Sequence, residues 1–592
     1  TVPCAAWILM LLGVTSVVVL GTYTTSLQCR SPTEDPFHVR NMTMLVVESD
    51  VPCVIVGTDF LNARLSTNEA PTFFQPPIKE EQAQTDAYLQ AELKQSNENS
   101  SAPPGAIKRL EQILQGPARD AFRLSLSKDK IADLPPVSTT LKPDAVPPKV
   151  PVRHYQPMML RDMLAELMLY LKWGIISRNT TSEWLSPINM VRKPDGTYRV
   201  TVDDKYMNRQ REPWRGHPLK DRAQLEMFFL HVVALGMADM FKGFWQCRLH
   251  KDSRQYHVMW TPFGHFEWNV LCMGDYNSAH HFQHLMENVF QPFLYREPAG
   301  TVQYIDDGAQ YGKNSTDPHG VKIADRHPDA LDGEDDAWYF LADHWEKVLL
   351  RCKKYNIFLS PKKICFFRDE LIYLGDVLSR DGIRCDPKRV QGLKDCPYPT
   401  YAGELYHWIS LGGWLRDKIP NYASIERGLR ALVDTALKIK GKRTIKSIEK
   451  VTLSSVGWND DSARQFDAFR DAMTSTVQRT YFDPELVTCI WTDANEFNFS
   501  LIMTQCAVNE LQKDVDEQAH TILVCNSGTF TKSQLRWPMK DKECYPQMLP
   551  TWQYEHYLFG KHKPQAMSDH QCLGALFEQA MNPSVVTLTR HK

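Results

Sequence analysis

The sequence predicts an α+β chain of several domains, and three observations carry this. Helical and strand-like segments alternate between residues 158 and 378, a mostly helical stretch runs from 385 to 475, and a last α/β unit starts near Val487. At 592 residues there is room for about three or four folding units. An apolar fraction of 43% allows sizeable cores. The formal net charge of −2 excludes a global basic field, so any nucleic-acid surface has to be a local patch. The 14 cysteines include no CxxC pair and no His/Cys cluster at zinc spacing. That pattern points to reduced thiols in the cytosol or nucleus, not to a disulfide framework or structural zinc.

Residues 1–77 read as apolar and strand-like, ending in Cys53–Leu61. Ala5–Gly21 carries no charge and has the length of a membrane span. No lysine or arginine precedes it and it is rich in β-branched residues, so sheet core is the preferred reading and membrane anchoring the minority one. Residues 78–145 are polar and proline-rich and read as linker, with a short helix near Ile107–Leu114. Met159, Leu160, Met163, Leu164, Leu167, Met168 and Leu171 recur at helical spacing, with Gly174 to end the helix. Ile188–Val191 and Tyr198–Val202 flank the turn sequence Pro194-Asp195-Gly196 and predict a hairpin. A helix is expected over 277–290, a solvated acidic loop over 314–342, renewed helix from Trp345, and a strand broken at Gly375.

The most informative segment is Tyr304-Ile305-Asp306-Asp307, placed between two strand-like runs so that a hairpin tip carries both acids. Adjacent carboxylates repel, and such a tip gains stability only from a bound cation. Asp239, at the end of the apolar run Met237-Ala238, supplies a third acid. Three such groups suit two-metal phosphoryl transfer, with Asp239 and Asp306 as ligands and Asp307 as a nearby acid that holds the site's charge.

Further blocks follow in a fixed order. They are Trp184–Ile188, Arg192–Val200, Asp239–Gln246, Gly264–Trp268 with Gly274, Asn277, Gln283 and Met286, then Tyr304–Asp307, Leu359–Phe367 and Tyr373-Leu374-Gly375. From about residue 138 to 590 the chain resembles the reverse transcriptase of gypsy-type LTR retrotransposons and, more distantly, that of retroviruses. The resemblance implies a right-hand polymerase with fingers and palm over 146–384 and a thumb or connection over 385–480. It also implies an α/β RNase H-like domain over 481–592 and a partial β-rich retropepsin-like segment over 1–77. The activity implied is RNA-directed DNA polymerisation, in which a primer 3′-hydroxyl attacks the α-phosphorus of a deoxynucleotide. Two Mg2+ ions per active site, or Mn2+ in their place, would be held by Asp239, Asp306 and Asp307. By position, Arg199 with Arg192 or Lys193 would contact the triphosphate, and Phe244 would crowd the sugar 2′ position. Gly274 and Gln283 would shape the pocket, and Lys363 would sit near the phosphates. The implied partners are an RNA template, a DNA primer, the RNA–DNA hybrid, dNTPs and a second copy of the chain, within a cytoplasmic particle and the nucleus.

In the last unit Asp493, Glu543 and Asp569 resemble the metal-binding acids of the RNase H domain, where water cuts the RNA strand. The sequence ends before the place of that family's fourth acid, which lowers the expected metal affinity. No Asp-Thr/Ser-Gly motif occurs in residues 1–77, so protease activity is not expected. The basic residues between Arg416 and Lys450 are candidates for holding duplex phosphates. Departures from the family pattern are Gly308 after the two aspartates, Cys272-Met273-Gly274 and Asn277-Ser278-Ala279 in the template block, and the long 314–342 insert. They motivate a second reading, a catalytically impaired relic that only binds nucleic acid.

Overall fold

The computed structural model describes the backbone of residues 18–31 and 34–48. It also describes the backbone of residues 78–80, and with side chains residues 81–567 except 126–131, 152, 193–195, 197, 315–333, 389, 391–396 and 442–443. The chain divides into two units, Thr1–Lys220 with Ala234–Arg368 and Asp221–Val233 with Asp369–Lys592. At the N-terminus β1 (Val18–Ser31) and β2 (Glu34–Glu48) pair antiparallel. The motif Cys53–Leu61 and most of the apolar run lie outside the described residues. Among the described residues no helix is long and apolar enough to cross a membrane.

Residues 78–124 depart from the expected linker. Ile78–Glu98 forms a 21-residue helix, α1, and Pro104–Gln115 forms α2. Helix α2 buries Ala106, Leu110, Ile113 and Leu114, an i, i+4, i+7, i+8 stripe. On α1 several of the buried contacts are polar, which is why composition pointed the other way. Glu92 and Ser96 are buried and serve the edge strand β11 (Cys365–Arg368). Glu92 accepts the Phe366 N–H at 2.9 Å and Arg368 at 2.7 Å, and Ser96 accepts the Phe367 N–H at 3.2 Å. An edge strand with free amides invites foreign pairing, and α1 closes this one.

Helix α3 (Pro157–Lys172) follows as expected, and Gly174 beyond it takes the left-handed φ of 67°. Five strands make the fingers sheet: β3 (Ile176–Arg178), β4 (Leu185–Arg192), β5 (Tyr198–Val202), β7 (Val258–Thr261) and β8 (Gly264–Trp268), in the order β3-β8-β7-β4-β5. The expected hairpin is the antiparallel pair β4 and β5. The palm sheet has the order β11-β6-β10-β9, with β6 (Val232–Asp239), β9 (Ala299–Tyr304) and β10 (Asp307–Lys313). Helices α4 (Ser278–Phe290) and α5 (Ala337–Lys354) cover it. Helix α5 begins at Ala337, inside the stretch expected to be loop, because Ala337, Trp338, Leu341 and Ala342 bury an apolar face.

In the second unit the break at Gly375 is a turn within a three-stranded sheet of β12 (Glu370–Tyr373), β13 (Asp376–Ser379) and β14 (Gly382–Cys385). Helices α6 (Ala402–Leu415), α7 (Tyr422–Lys440) and α8 (Asp460–Thr474) pack around Leu405, Leu429, Phe466 and Phe469. One of the basic residues proposed to face phosphates is internal instead: Lys418 is fully buried 3.0 Å from Asp376. Arg416 is exposed, though its guanidinium donates to the Ser527 carbonyl. Lys438, Lys440, Lys446 and Lys450 are exposed. The last part is a sheet of order β17-β16-β15-β18, made of β15 (Val487–Ala494), β16 (Asn498–Cys506), β17 (Thr521–Thr529) and β18 (Gln565–Met567). Helix α9 (Met539–Gln553) packs on β15.

Candidate active site

The three acids of the palm meet. Asp239 ends the apolar strand β6 and is 8% exposed. Asp306 sits in the turn and Asp307 opens β10, paired across to Tyr304. The tip is bonded to the end of β6, with the Met240 N–H donating to the Asp306 carbonyl at 3.1 Å. Asp239 and Asp306 line one cleft of about 360 Å³ together with Arg199, Phe244 and Lys363.

Electrostatics favour a cation there. Burial first, then the charges of Asp306 and Asp239, pushes the Asp307 carboxyl up to about 6. Burial also raises Asp239, against the pull of Lys363. Lys363 Nζ lies 2.8 Å from Asp239 Oδ2 and answers only part of this negative charge. The donors are all hard oxygens, the set that Mg2+ and Mn2+ take, so the residues fit divalent ions.

The hairpin tip is held in an unfavourable shape. Ile305, a β-branched residue, has φ of 51°. Its N–H donates to Gln283 Oε1 at 2.5 Å, and its carbonyl accepts from Gln303 Nε2 at 2.8 Å. Gln283 donates in turn to the Gln303 carbonyl at 3.0 Å. Gln283 is therefore buried beneath the tip as a positioning residue, and the cleft wall is built by others. Gly308 has a related use. A Cβ there would lie 2.9 Å from Gln303 Oε1, so glycine leaves room for the side chain that braces Ile305. The departure at Gly308 is thus accommodated by its neighbour.

His344 of α5 anchors the same hairpin through Thr301 at 2.9 Å and Gln310 at 3.0 Å, which face each other across β9 and β10. Burial pulls its pKa down to about 3. The unfolded chain takes up this proton near the ordinary value of 6.5 and the folded chain does not. The stabilising contribution is therefore complete above that value and is lost as pH falls toward 3. His344→Gln is expected to lose less stability than the parent between about pH 6.5 and 4 in urea unfolding followed by fluorescence.

Other predicted residues fall as follows. Arg199 on β5 is exposed at the cleft, while Arg192 is exposed on β4 and does not line it. Arg199 pairs with Val191, so strand alternation turns Arg192 to the opposite face of the hairpin. Lys193 lies outside the described residues. Gly274 has φ of 117°, and a Cβ there would sit 2.7 Å from the Val202 carbonyl, so the loop approaches β5 closely; its neighbour Met273 lines the cleft. Phe244 packs edge-on against Phe282 at 5.3 Å. Three cleft residues went unnoticed in the sequence. Glu166 and Tyr170 come from α3, and Lys242 lies 4.2 Å from the Trp245 ring.

Behind the Met273 loop lies a buried network. Arg211, fully buried, donates to Asp204 at 2.9 Å, to Asn208 at 3.0 Å and to the Tyr256 carbonyl at 2.9 Å, and lies 3.5 Å from Asp275. His257 Nδ1 is 3.1 Å from Arg211, and burial holds that imidazole neutral. Asp204, His257 and Cys272 place ligand atoms within 4.8 Å of one another. The guanidinium already bonds Asp204 and His257, so this is an ion-pair network and not a metal centre.

In the last unit Asp493 is exposed near the end of β15, and Glu543 is buried on α9. Asp569 lies outside the described residues, just after β18.

Residues 191–378 match the family model described as reverse transcriptase (RNA-dependent DNA polymerase). Residues 483–590 match the one described as RNase H-like domain found in reverse transcriptase. Domains of both kinds use divalent metals. The matched models give the chain a reverse transcriptase domain followed by an RNase H-like domain. Pol polyproteins of transposons are among the proteins it is similar to. It is 24% identical over 410 residues to the retrovirus-related Pol polyprotein from transposon 297 of Drosophila melanogaster, covering 68% of this chain and 33% of that protein. To the Pol polyprotein from transposon gypsy of the same organism it is 22% identical over 423 residues, covering 69% and 36%. The chain thus spans about a third of the length of the curated relatives it matches. Among solved structures, the foamy viral protease-reverse transcriptase in complex with RNA/DNA hybrid shares the fold. Its TM-score is 0.62 at 16% identity, covering 94% of this chain and 67% of that one.

Proposed function

We propose that the chain copies RNA into DNA, adding deoxynucleotides to a primer 3′ end. The observation that carries this is the convergence of Asp239 and Asp306 at one cleft rimmed by Arg199, Lys363 and Phe244, with Asp307 near enough to feel both their charges. Two Mg2+ ions, held by Asp239 and Asp306 with Asp307 beside them, would activate the primer hydroxyl and neutralise the departing pyrophosphate. The chain's own residues do the positioning. Arg199 would present a planar fork to the triphosphate oxygens, and Lys363 would add a second cation in the same cleft. The half-buried ring of Phe244, backed by Phe282, would crowd the 2′ position of a bound nucleotide. Asp493 and Glu543, with Asp569, would hold the ions that cut RNA in an RNA–DNA hybrid. A homodimer, a cytoplasmic particle and nuclear entry complete the proposal.

Primer extension on an RNA template tests it. Labelled primer should lengthen with dNTPs and Mg2+ or Mn2+, and a chelator should stop it. Failure of the intact chain to extend any primed RNA with either ion overturns the reading. Phe244→Ala is expected to raise the kcat/KM for a ribonucleotide relative to its deoxynucleotide by roughly 10- to 200-fold, measured by single-nucleotide incorporation.

A further inference from the structure

Cys489 and Cys506 lie on the adjacent strands β15 and β16, with Cys489 directly opposite Thr504. Both side chains are buried, and their Sγ atoms are 3.9 Å apart. His520, just before β17, joins them, and the three ligand atoms lie within 4.8 Å of one another. A disulfide requires sulfurs about 2.05 Å apart. A tetrahedral zinc ion with Zn–S bonds of about 2.3 Å holds two thiolates about 3.8 Å apart. The observed spacing fits a metal between the sulfurs, as it also fits a thiol–thiol contact.

The imidazole has the tautomer for it. His520 Nε2 lies 2.9 Å from Gln518 Oε1, an oxygen that only accepts, so Nε2 carries the proton. Nδ1 then has the lone pair, which accepts the Thr504 hydroxyl at 3.0 Å, a bond that a metal would replace; Thr504 lies across from Cys489. A metal-binding histidine whose second nitrogen donates to an oxygen is the arrangement that fixes tautomer and ring direction. Charge also fits. Two thiolates neutralise one Zn2+, and a neutral centre suits the apolar surroundings of Val487, Leu511 and Met567. Hard ions such as Mg2+ prefer oxygen and would not compete here.

We propose that Cys489, Cys506 and His520 form a structural zinc site, with a water molecule as fourth ligand, that pins the β16–β17 connection to the sheet. The site stands apart from the nearby acid on the same strand. Asp493 is four residues further along β15, roughly 13 Å away at strand rise. Binding releases two thiol protons to solvent, so affinity rises with pH. Burial keeps both thiols protonated without metal, Cys489 up to about 12.

The test is zinc titration of the reduced, metal-stripped full chain in saturating Mg2+, which occupies the carboxylate sites. Wild type should retain one zinc per chain after desalting, and Cys489→Ser/Cys506→Ser none. Gln518→Ala should weaken zinc affinity by about 10- to 100-fold, and His520→Ala by more. Cd2+ should give a thiolate charge-transfer band in wild type that is lost in the double serine variant. The proposal is overturned if wild type retains no zinc, or if the double variant retains as much. Recovery of a Cys489–Cys506 disulfide from zinc-treated reduced protein also overturns it. Should the double variant not fold, unchanged affinity in both Gln518→Ala and His520→Ala, which alter half-buried residues, overturns it as well.

Discussion

Asp239→Asn is expected to abolish primer extension while leaving the fold intact. Asp239 ends the central palm strand, where its carboxylate faces Lys363 at 2.8 Å and the Asp306 tip. Asparagine keeps the volume and an acceptor for Lys363 but removes the negative oxygen that a divalent ion requires. The loss falls on charge stabilisation at the reacting phosphate, a contribution worth at least about 10²–10³ in kcat. Stability should not fall, because burial already opposes ionisation of this group. Extension rates and unfolding midpoints of parent and variant, measured side by side, check both halves. Equal incorporation by Asp239→Asn would mean that the cleft is not where the chemistry happens.

The largest stability effect is expected at Arg211. Its guanidinium is wholly buried and serves Asp204 and Asp275, themselves 2% and 7% exposed. Arg211→Met strands two carboxylates in the interior, and breaking such a pair costs about 3–5 kcal/mol. His257, held neutral by burial first and Arg211 second, would become easier to protonate and recover part of that. Urea unfolding, followed by hydrogen exchange of amides in β5 and β7, should show the loss within the first unit. Adding Asp204→Asn and Asp275→Asn to Arg211→Met should return much of it, since the stranded charges are then gone. A variant as stable as the parent would show that the network carries little energy.

The readable part of the site is the part set by neighbours in sequence. Asp306 and Asp307 are adjacent, strand signals flank them, and the hairpin followed. Arg199 and Phe244 reached the cleft because each sits on or beside a well-signalled element. What sequence alone could not supply was direction and partnership. Gln283 was assigned to the pocket, yet its amide turns inward to Ile305, because the left-handed tip needs two hydrogen bonds more than the cleft needs a polar wall. Arg192 and Arg199 share a hairpin, but only one points to the acids. Residues 78–98 looked like linker because polarity was equated with solvent, whereas Glu92 and Ser96 spend theirs on an edge strand. The thiol–imidazole group escaped notice because strand register, not spacing along the chain, brings it together.

The clasp between α1 and β11 also bears on how the protein is made. Glu92 and the Phe366 amide are separated by 274 positions. A ribosome adding about 5–20 residues per second needs roughly 14–55 s to cover that distance. Throughout that interval a finished helix waits, its acidic side chain hydrated, for a strand that does not yet exist. Completion of the palm is therefore a late event in synthesis, and until then α1 has only earlier partners, among them α2 and residues 124–125.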